Sequence, residues 1–540
     1  MDVSTVLVLV LAAVAAIVVT HRVAERTGLP APAVLTVVGI CYALLPGPNA
    51  ELDPHVVLTL VIPPLLYSAA LNSSLRGIRD NLRTVISLSV LLVLATALLV
   101  GAGFALFVTG ATLAAGVALG AAIAPPDPVA ALAVGRKVGL PPRLLSLIQG
   151  EGLLNDATAL TVLTVAASAA TGSGFSAWSA LGRFIEAAAG GVAVGLLVAY
   201  AVRWLRRWSQ EPLVLNAVSL VTPFVAYLLG EEIHVSGVLA VVIAGLAIGH
   251  QGSRSVSGAS RLQVNAVWQL IDFILEGMVF LLIGQQLPTV VRGLDHYDVS
   301  TVVIASAISV GVVLLLRPLW LLVTQFMPRR LHARLGGEGS ERLTAREVLV
   351  LSWAGTRGVI TLAAIYTLPL VTDSGAPFPD RDLLLFCAFL VVLVTLVGQG
   401  TTFAPLVTAV GLRANPVDQA RLRNEARSAA ARAGLDRLNE LQETKHEADE
   451  DEAFAALRAQ IENRLDRYQR RLESLEDADD VIPTNPEYEA ALRLHAAVID
   501  AEREELLRLR EIGQLPDSSL RVLEHELDHR EVLLPQRHPR

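Results

Sequence analysis

One predicted helix carries a group of polar residues within an otherwise apolar stretch. Glu151 and Asn155 are four residues apart, so they lie on one strip of the helix surface. Gly152 and Asp156 have the same spacing and form the adjacent strip. Burial of a carboxylate favours its protonated form, whereas a bound monovalent cation favours its ionised form. Proton and cation therefore exclude each other at one carboxylate. Asp156 is predicted to be that carboxylate and to carry the two ions alternately. The alternative is a buried Asp156 that only holds helices together through hydrogen bonds.

The preceding predicted helix is interrupted at residues 124–128, Ala-Pro-Pro-Asp-Pro. The three prolines remove backbone donors and push their neighbours out of helical geometry. Irregular backbone at membrane depth lines a cavity or is buried in protein, where its free carbonyls are cation ligands. Pro126 would offer such a carbonyl. Asp127 would either ligate the cation or, as we favour, balance the positive end of the half-helix that follows it.

Two arginines in apolar segments need partners, because arginine stays charged and charge is costly inside a membrane. Arg357 lies in the sequence Gly-Thr-Arg-Gly, where its helix can unwind. A second broken helix seven helices after the first is the spacing of an inverted repeat with a site between the two breaks. Glu151 is the best counter-charge for Arg317. The alternative for Arg317 is a side chain that reaches the membrane interface.

Two further acidic residues of an apolar helix, Asp272 and Glu276, are four residues apart. They could line the ion route or contact neighbouring helices. The sequence does not give their orientation, so they are left out of the predicted site.

The elements that must position these residues are membrane helices. Of the 540 residues, 53% are hydrophobic and only 17% are charged, whereas about a quarter of the residues in soluble domains are charged. A window of about 20 mainly apolar residues predicts an all-α membrane protein with thirteen transmembrane helices, inverted repeats and two broken crossing helices. The predicted spans are 4–22, 30–46, 55–71, 83–107, 110–133, 143–170, 178–203, 213–230, 235–250, 264–287, 298–325, 346–370 and 382–410.

The charges of the loops give the predicted orientation. Odd-numbered loops are net basic, as short cytoplasmic loops are; the eleventh loop, for example, contains Arg329, Arg330, Arg334, Arg342 and Arg346. Even-numbered loops are acidic, uncharged or mixed, as in the second, with Glu51 and Asp53. The N-terminus is therefore expected outside and the C-terminal tail in the cytoplasm. The first apolar run lacks the basic start of a signal peptide, which favours a retained helix over a cleaved signal.

The domain boundary is predicted from charge. Residues 1–413 form the apolar transmembrane domain, and residues 414–540 contain 29 acidic and 19 basic residues. Apolar positions recur every seven residues from Phe454 to Leu475, which is a short amphipathic or coiled-coil pattern. A solvated helical hairpin is favoured over a ligand-binding regulatory domain. This pattern is interrupted at 477–486, and a second helix is expected from Pro486 to about Ile512.

At these positions the chain resembles the monovalent cation:proton antiporter-1 family, the sodium/proton exchangers. The stretch Gly150 to Ala157 is similar to the Asn-Asp motif of that family. Supporting similarities are the Asp-Pro break at Asp127, the sequence from His234 to Ala240, Arg357-Gly358 and Gln399-Gly400.

The resemblance implies a homodimer with dimerisation and core subdomains that alternate by an elevator-like movement. It implies that Asp156 carries the ion and the proton, that Asn155 accompanies it, and that Glu151 pairs with Arg317. It also implies exchange of one cation for one proton. Members of the family often have Ser where this chain has Gly152 and Thr where it has Pro126, so its site is poorer in side-chain oxygens.

The predicted function is therefore exchange of Na+, with Li+ and K+ as alternative cations, for H+ across the plasma membrane. Potassium/proton exchange is the alternative within transport, and a cation channel or a non-transporting sensor is more distant. No enzyme activity, cofactor or nucleic-acid partner is expected. The expected partners are monovalent cations, protons and the lipid bilayer. The sequence does not predict a partner for the tail.

Overall fold

The computed structural model describes residues 3–45, 56–172, 177–208, 211–255, 258–326, 342–444, 451–476, 478 and 486–532. Several residues used above for the loop charges lie outside this described part: Glu51, Asp53, Arg329, Arg330 and Arg334. Most of the predicted interruption of the tail at 477–486 also lies outside it. The chain separates into two compact units, Met1–Arg413 and Ala414–Arg540.

The first unit is built from helices. In chain order they are α1 Val3–Thr27, α2 Ala31–Ala43, α3 Val57–Leu71, α4 Leu75–Asp80, α5 Leu82–Phe107, α6 Leu113–Ile123, α7 Pro128–Val138, α8 Pro142–Thr171, α9 Ala177–Leu205, α10 Pro212–Glu232, α11 Gly237–Ser255, α12 Gly258–Gln285, α13 Leu287–Arg292, α14 Val299–Phe326, α15 Ala345–Trp353, α16 Val359–Tyr366 and α17 Arg381–Val410.

The structure confirms an all-helical membrane fold. Within the described residues, nine helical stretches are long and apolar enough to cross a membrane, and α2, α3 and residues 237–250 of α11 are shorter apolar helices. No β-strand is present among the described residues, where the regular structure is helical. Thirteen crossings and an inverted repeat stay predictions.

The two spans that were predicted to be broken are each divided into two helices. The span predicted at 110–133 is α6 and α7, separated by residues 124–127. The span predicted at 346–370 is α15 and α16, separated by residues 354–358. Prolines cause the first interruption, because Pro125 and Pro126 cannot donate backbone hydrogen bonds. Glycines 355 and 358 flank the second, where the lack of a Cβ permits non-helical backbone.

Close helix packing holds the unit together. A Cβ on Gly39 of α2 would lie 2.2 Å from the carbonyl oxygen of Leu281 in α12. On the opposite side of this contact, a Cβ on Gly284 would lie 2.2 Å from the carbonyl oxygen of Thr36. Small residues allow membrane helices to approach in this way, so that van der Waals contacts stabilise the packing.

Three helices contain a wider, π-helical turn: Val57–Val61 in α3, Ser87–Leu91 in α5 and Val394–Gln399 in α17. Such turns are rare and occur often at functional sites. The second places Ser89 against the backbone of Glu151, and the third places Thr395 against Arg357.

The described residues of the second unit form four helices, α18 Pro416–Thr444, α19 Asp451–Glu476, α20 Pro486–Glu511 and α21 Asp517–Val532. Helices α18 and α19 pack through Ala431, Leu438 and Ile461. The sequence predicted α20 closely and the extent of α19, but it missed α18 and α21. Whether α19 takes part in a coiled coil stays a prediction.

Candidate ion-binding site

The two interruptions contact each other directly. The backbone N–H of Asp127 donates a hydrogen bond to the carbonyl oxygen of Thr356 at 2.6 Å. In return, the Thr356 hydroxyl donates to the carbonyl oxygen of Asp127 at 3.0 Å. The first and second broken helices are therefore joined at the point where both lose their helical hydrogen bonds.

The carboxylate of Asp127 lies at the N-terminal ends of two half-helices. It is the N-cap of α7, where its Oδ1 accepts from the Val129 N–H at 3.0 Å. A Cβ added to Gly358 would lie only 1.7 Å from Oδ2 of Asp127, so the carboxylate occupies space that a side chain at position 358 would need. Gly358 is the N-cap of α16. A negative charge at this position offsets the positive ends of both helix dipoles.

The guanidinium of Arg357 occupies the opposite, C-terminal ends. It donates to the carbonyl oxygens of Ile123 at 2.8 Å and Ala124 at 3.0 Å, where α6 ends, and also to that of Gly355. Its side chain is buried, and its backbone N–H donates to the hydroxyl of Thr395 at 2.9 Å. A cation at these carbonyls offsets the negative helix ends. The crossing thus contains one fixed negative and one fixed positive charge.

Helix α8 presents its polar residues to this crossing. Asn155 is fully buried, and its side-chain NH2 donates to the carbonyl oxygen of Pro126 at 3.0 Å. The other polar atom of this side chain, Oδ1, is buried with no hydrogen-bond partner in the described part of the chain. An unsatisfied buried acceptor is costly, which makes Oδ1 available to a cation or a water molecule.

Asp156 is 3% exposed and lies close enough to Asp127 for their charges to interact. Among the described residues, no group donates a hydrogen bond to its carboxylate and no basic side chain pairs with it. A buried carboxylate without such compensation is costly in its ionised form. Protonation or a bound cation would supply the missing compensation.

Close packing explains why position 152 is a glycine. A Cβ there would lie 2.4 Å from Cγ of Pro128, so the first residue of α7 packs directly on the backbone of α8. This close approach brings the first break onto the helix that carries Asp156. It also leaves no space for a side-chain hydroxyl at this turn, and Pro126 supplies only its carbonyl.

Glu151 and Arg317 form a buried, bidentate ion pair. One guanidinium nitrogen donates to Oε1 of Glu151, and Nη2 donates to Oε2 at 2.9 Å. Nε of Arg317 donates to the carbonyl oxygen of Leu351 at 3.1 Å, close to the second break. Arg317 is 2% exposed, which argues against a side chain that reaches the interface. The pair connects α8, α14 and α15.

Sequence reasoning did not single out Thr356 or Thr395 as parts of the crossing, and it named Gly358 only as a residue that lets the helix unwind. The available signal for Thr356 was its position next to an intramembrane arginine. Asp272 and Glu276 were left out for lack of an orientation. In the structure, the Ser68 hydroxyl donates to Asp272, and Glu276 lies close enough to Asp127 and Asp272 for their charges to interact.

Crossed half-helices whose ends face fixed charges, beside a helix with an uncompensated carboxylate, define a class of protein. This is the arrangement of secondary transporters that bind ions at discontinuous membrane helices. Comparison with known proteins gives the family. Residues 9–409 match the model of the family described as sodium/hydrogen exchanger, transmembrane. The chain belongs to the sodium/hydrogen exchanger family.

Individual relatives support this assignment. An uncharacterized Na+/H+ exchanger of Mycobacterium tuberculosis is 34% identical over 539 residues, which cover 98% of this chain and 96% of that protein. A sodium, potassium, lithium and rubidium/H+ antiporter of Bacillus subtilis is 30% identical over 94% of this chain and 74% of that protein. The solved structure of the sodium proton antiporter MjNhaP1 from Methanocaldococcus jannaschii has the same fold, with a TM-score of 0.57 at 18% identity. That match covers 75% of this chain and 99% of MjNhaP1.

Proposed function

We propose that this chain exchanges Na+ for H+ one for one, with Asp156 as the group for which the two ions compete. The observation that carries the proposal is the charge balance of the site. Glu151 has Arg317 as its partner, and Asp127 shares the crossing with Arg357. Of the carboxylates of Glu151, Asp127 and Asp156, that of Asp156 is the one that no described cationic group compensates.

The charge balance explains why the transport of one ion is coupled to that of the other. With either a proton or a monovalent cation on Asp156, the group formed by Asp156 and the residues Glu151, Arg317, Asp127 and Arg357 is neutral. With neither, one buried charge is uncompensated, and its desolvation opposes movement through the membrane. Loaded forms move and the empty form does not, so the two ions are exchanged rather than leaked.

The remaining oxygens can complete a cation site. Candidates are the unpartnered Oδ1 of Asn155 and the carboxylate of Asp127, together with the carbonyl of Pro126, which already accepts from Asn155. In this proposal Asp127 mainly holds the half-helices and the cation together through its charge. Gly152 contributes close packing and no ligand.

The proposed setting is the plasma membrane, with thirteen crossings, the N-terminus outside and the tail in the cytoplasm. Basic odd-numbered loops support this orientation. A homodimer, an inverted repeat and a role in pH and sodium homeostasis are proposed from the resemblance to the exchanger family.

A wider cation range is a second candidate. The site has no side-chain hydroxyl at positions 152 and 126, so fewer fixed oxygens discriminate by ion size. The Bacillus subtilis relative is named for exchange of sodium, potassium, lithium and rubidium. Potassium/proton exchange at the same Asp156 is consistent with both facts.

Inside-out vesicles with an imposed pH gradient test the proposal. Addition of Na+, Li+ or K+ is expected to dissipate the gradient in vesicles with the wild-type protein. Asp156→Asn should abolish this response, because an amide cannot exchange a proton. Asp373→Asn, the same change at an exposed loop residue, is the matched control and should behave as wild type.

The proposal fails if no cation dissipates the gradient in wild-type vesicles or if Asp156→Asn retains full activity. Stoichiometry is tested separately by a clamped membrane potential. One-for-one exchange moves no net charge, so its rate should not depend on the potential. A clear dependence would contradict the stoichiometry and leave the exchange itself standing.

A further inference from the structure

The first interruption is held by side chains that donate to its carbonyl oxygens. Arg357 donates to those of Ile123 and Ala124, and Asn155 donates to that of Pro126. The carbonyl of Asp127 receives its hydrogen bond from the hydroxyl of Thr356. Three side chains thus donate hydrogen bonds to backbone carbonyl oxygens within the interruption.

Among these three donors, Thr356 is the one with no charge and no place beside Asp156. Any residue at 356 would offer its carbonyl to the Asp127 N–H, but only a side chain with a hydrogen-bond donor, here the threonine hydroxyl, can return a hydrogen bond to the Asp127 carbonyl. The paired hydrogen bonds fix both the position and the orientation of the Asp127 peptide relative to α16.

The surroundings of Thr356 hold this geometry. Its side chain is 2% exposed. The methyl group lies toward α17, where a Cβ on Gly400 would be 4.0 Å from Cγ2. The hydroxyl lies on the other side, toward Asp127, where it donates its hydrogen bond.

We propose that Thr356 is a positioning residue that sets the cation affinity of the site by locking the two interruptions together. This inference rests on the proposed exchange function. Without the hydroxyl, the Asp127 carbonyl loses its donor and the oxygens near Asp156 lose their fixed spacing. Affinity for the cation should fall, while the ion-carrying group itself is unchanged.

The test compares Thr356→Val, which removes the hydroxyl at nearly constant volume, with Thr356→Ser, which keeps it. In the vesicle assay, Thr356→Val should raise the half-saturating Na+ concentration about fivefold, the factor contributed by one ordinary hydrogen bond. The maximal rate per folded protein should stay unchanged, and Thr356→Ser should restore the wild-type value. Thr361→Val is the matched control, because the buried Thr361 hydroxyl of α16 has no partner among the described residues.

An unchanged half-saturating concentration in Thr356→Val would overturn the inference, as would an equal rise in Thr361→Val. If Thr356→Val does not accumulate, Thr356→Ala gives the same comparison. Stabilisation of the purified proteins by added Na+, measured by thermal unfolding, reports affinity without transport. Wild-type protein that is stabilised by Na+ but exchanges nothing would contradict the proposed function while still testing Thr356.

Discussion

The membrane unit and the tail unit both contain arginine–carboxylate pairs, but the pairs differ in what surrounds them. The side chains of Arg317 and Glu151 are 3% and 1% exposed, and Nε of Arg317 also donates to the carbonyl oxygen of Leu351. In the tail, Arg503 pairs with Asp528 and Glu531, whose side chains are 60% and 54% exposed. Water can replace either partner of the tail pairs. The buried pair is shielded from bulk water, so loss of one partner should cost much more there than in the tail.

The largest expected effect is the loss of one partner of the buried pair. Arg317→Met leaves Glu151 uncompensated and should destabilise the fold by about 3–5 kcal/mol. The double variant Arg317→Met with Glu151→Gln should be more stable than the single variant, because no buried charge remains unpaired. Thermal unfolding of the purified proteins measures both. A double variant less stable than Arg317→Met would contradict this view of the pair.

A second large effect is expected at Gly358. A Cβ there would occupy the position of Asp127 Oδ2, so Gly358→Ala must displace the carboxylate by an ångström or more. Misplacement on that scale costs about a hundredfold in rate, and the exchange rate in vesicles should fall accordingly. Gly311→Ala is the control, because a Cβ on Gly311 of α14 meets nothing within 4 Å. Wild-type activity of Gly358→Ala would show that Asp127 is not held where the structure places it.

Gly152 should give a smaller effect, because its Cβ would meet a proline ring and not a charged group. Gly152→Ala forces Pro128 away from α8 and should cost about 1–3 kcal/mol in stability through overpacking. Thermal unfolding compared with Gly311→Ala checks this. If Gly152→Ala is as stable as that control, the close contact between α7 and α8 is not required.

The smallest effect is expected in the tail. Arg503→Ala removes a partly exposed pair and should change stability by no more than about 1 kcal/mol. The difference from wild type should shrink at high salt, because salt screens exposed charges. Circular dichroism of the full chain measures helicity. A loss of helicity in Arg503→Ala at low salt would show that the pair contributes more to stability than this comparison predicts.

Sequence alone predicted most of the fold, because its signals are local. Apolar runs of membrane length gave the helices, and the prolines at 125, 126 and 128 gave the first break. The two glycines around Arg357 predicted the second break, but not how many residues it contains. Helix α18 was missed, whereas α19 was marked by the seven-residue repeat of its apolar positions.

The sequence predicted most residues of the candidate site, but it did not predict their contacts. Asp156, Asn155 and Asp127 stood out because charged and amide groups are rare in apolar helices. The reciprocal hydrogen bonds of Asp127 and Thr356 join residues 229 positions apart. Such a contact depends on how two broken helices cross, which no local pattern records. The contact of Gly152 with Pro128 was hidden for the same reason.

The competition of proton and cation for Asp156 is tested most directly by proton release from the purified protein. Added Na+ should displace about one proton per chain, since one carboxylate binds either ion, and a pH indicator dye measures the release. Asp156→Asn should release none, whereas Asp373→Asn should release as many as wild type. Equal release from Asp156→Asn and wild type would contradict the central role of Asp156.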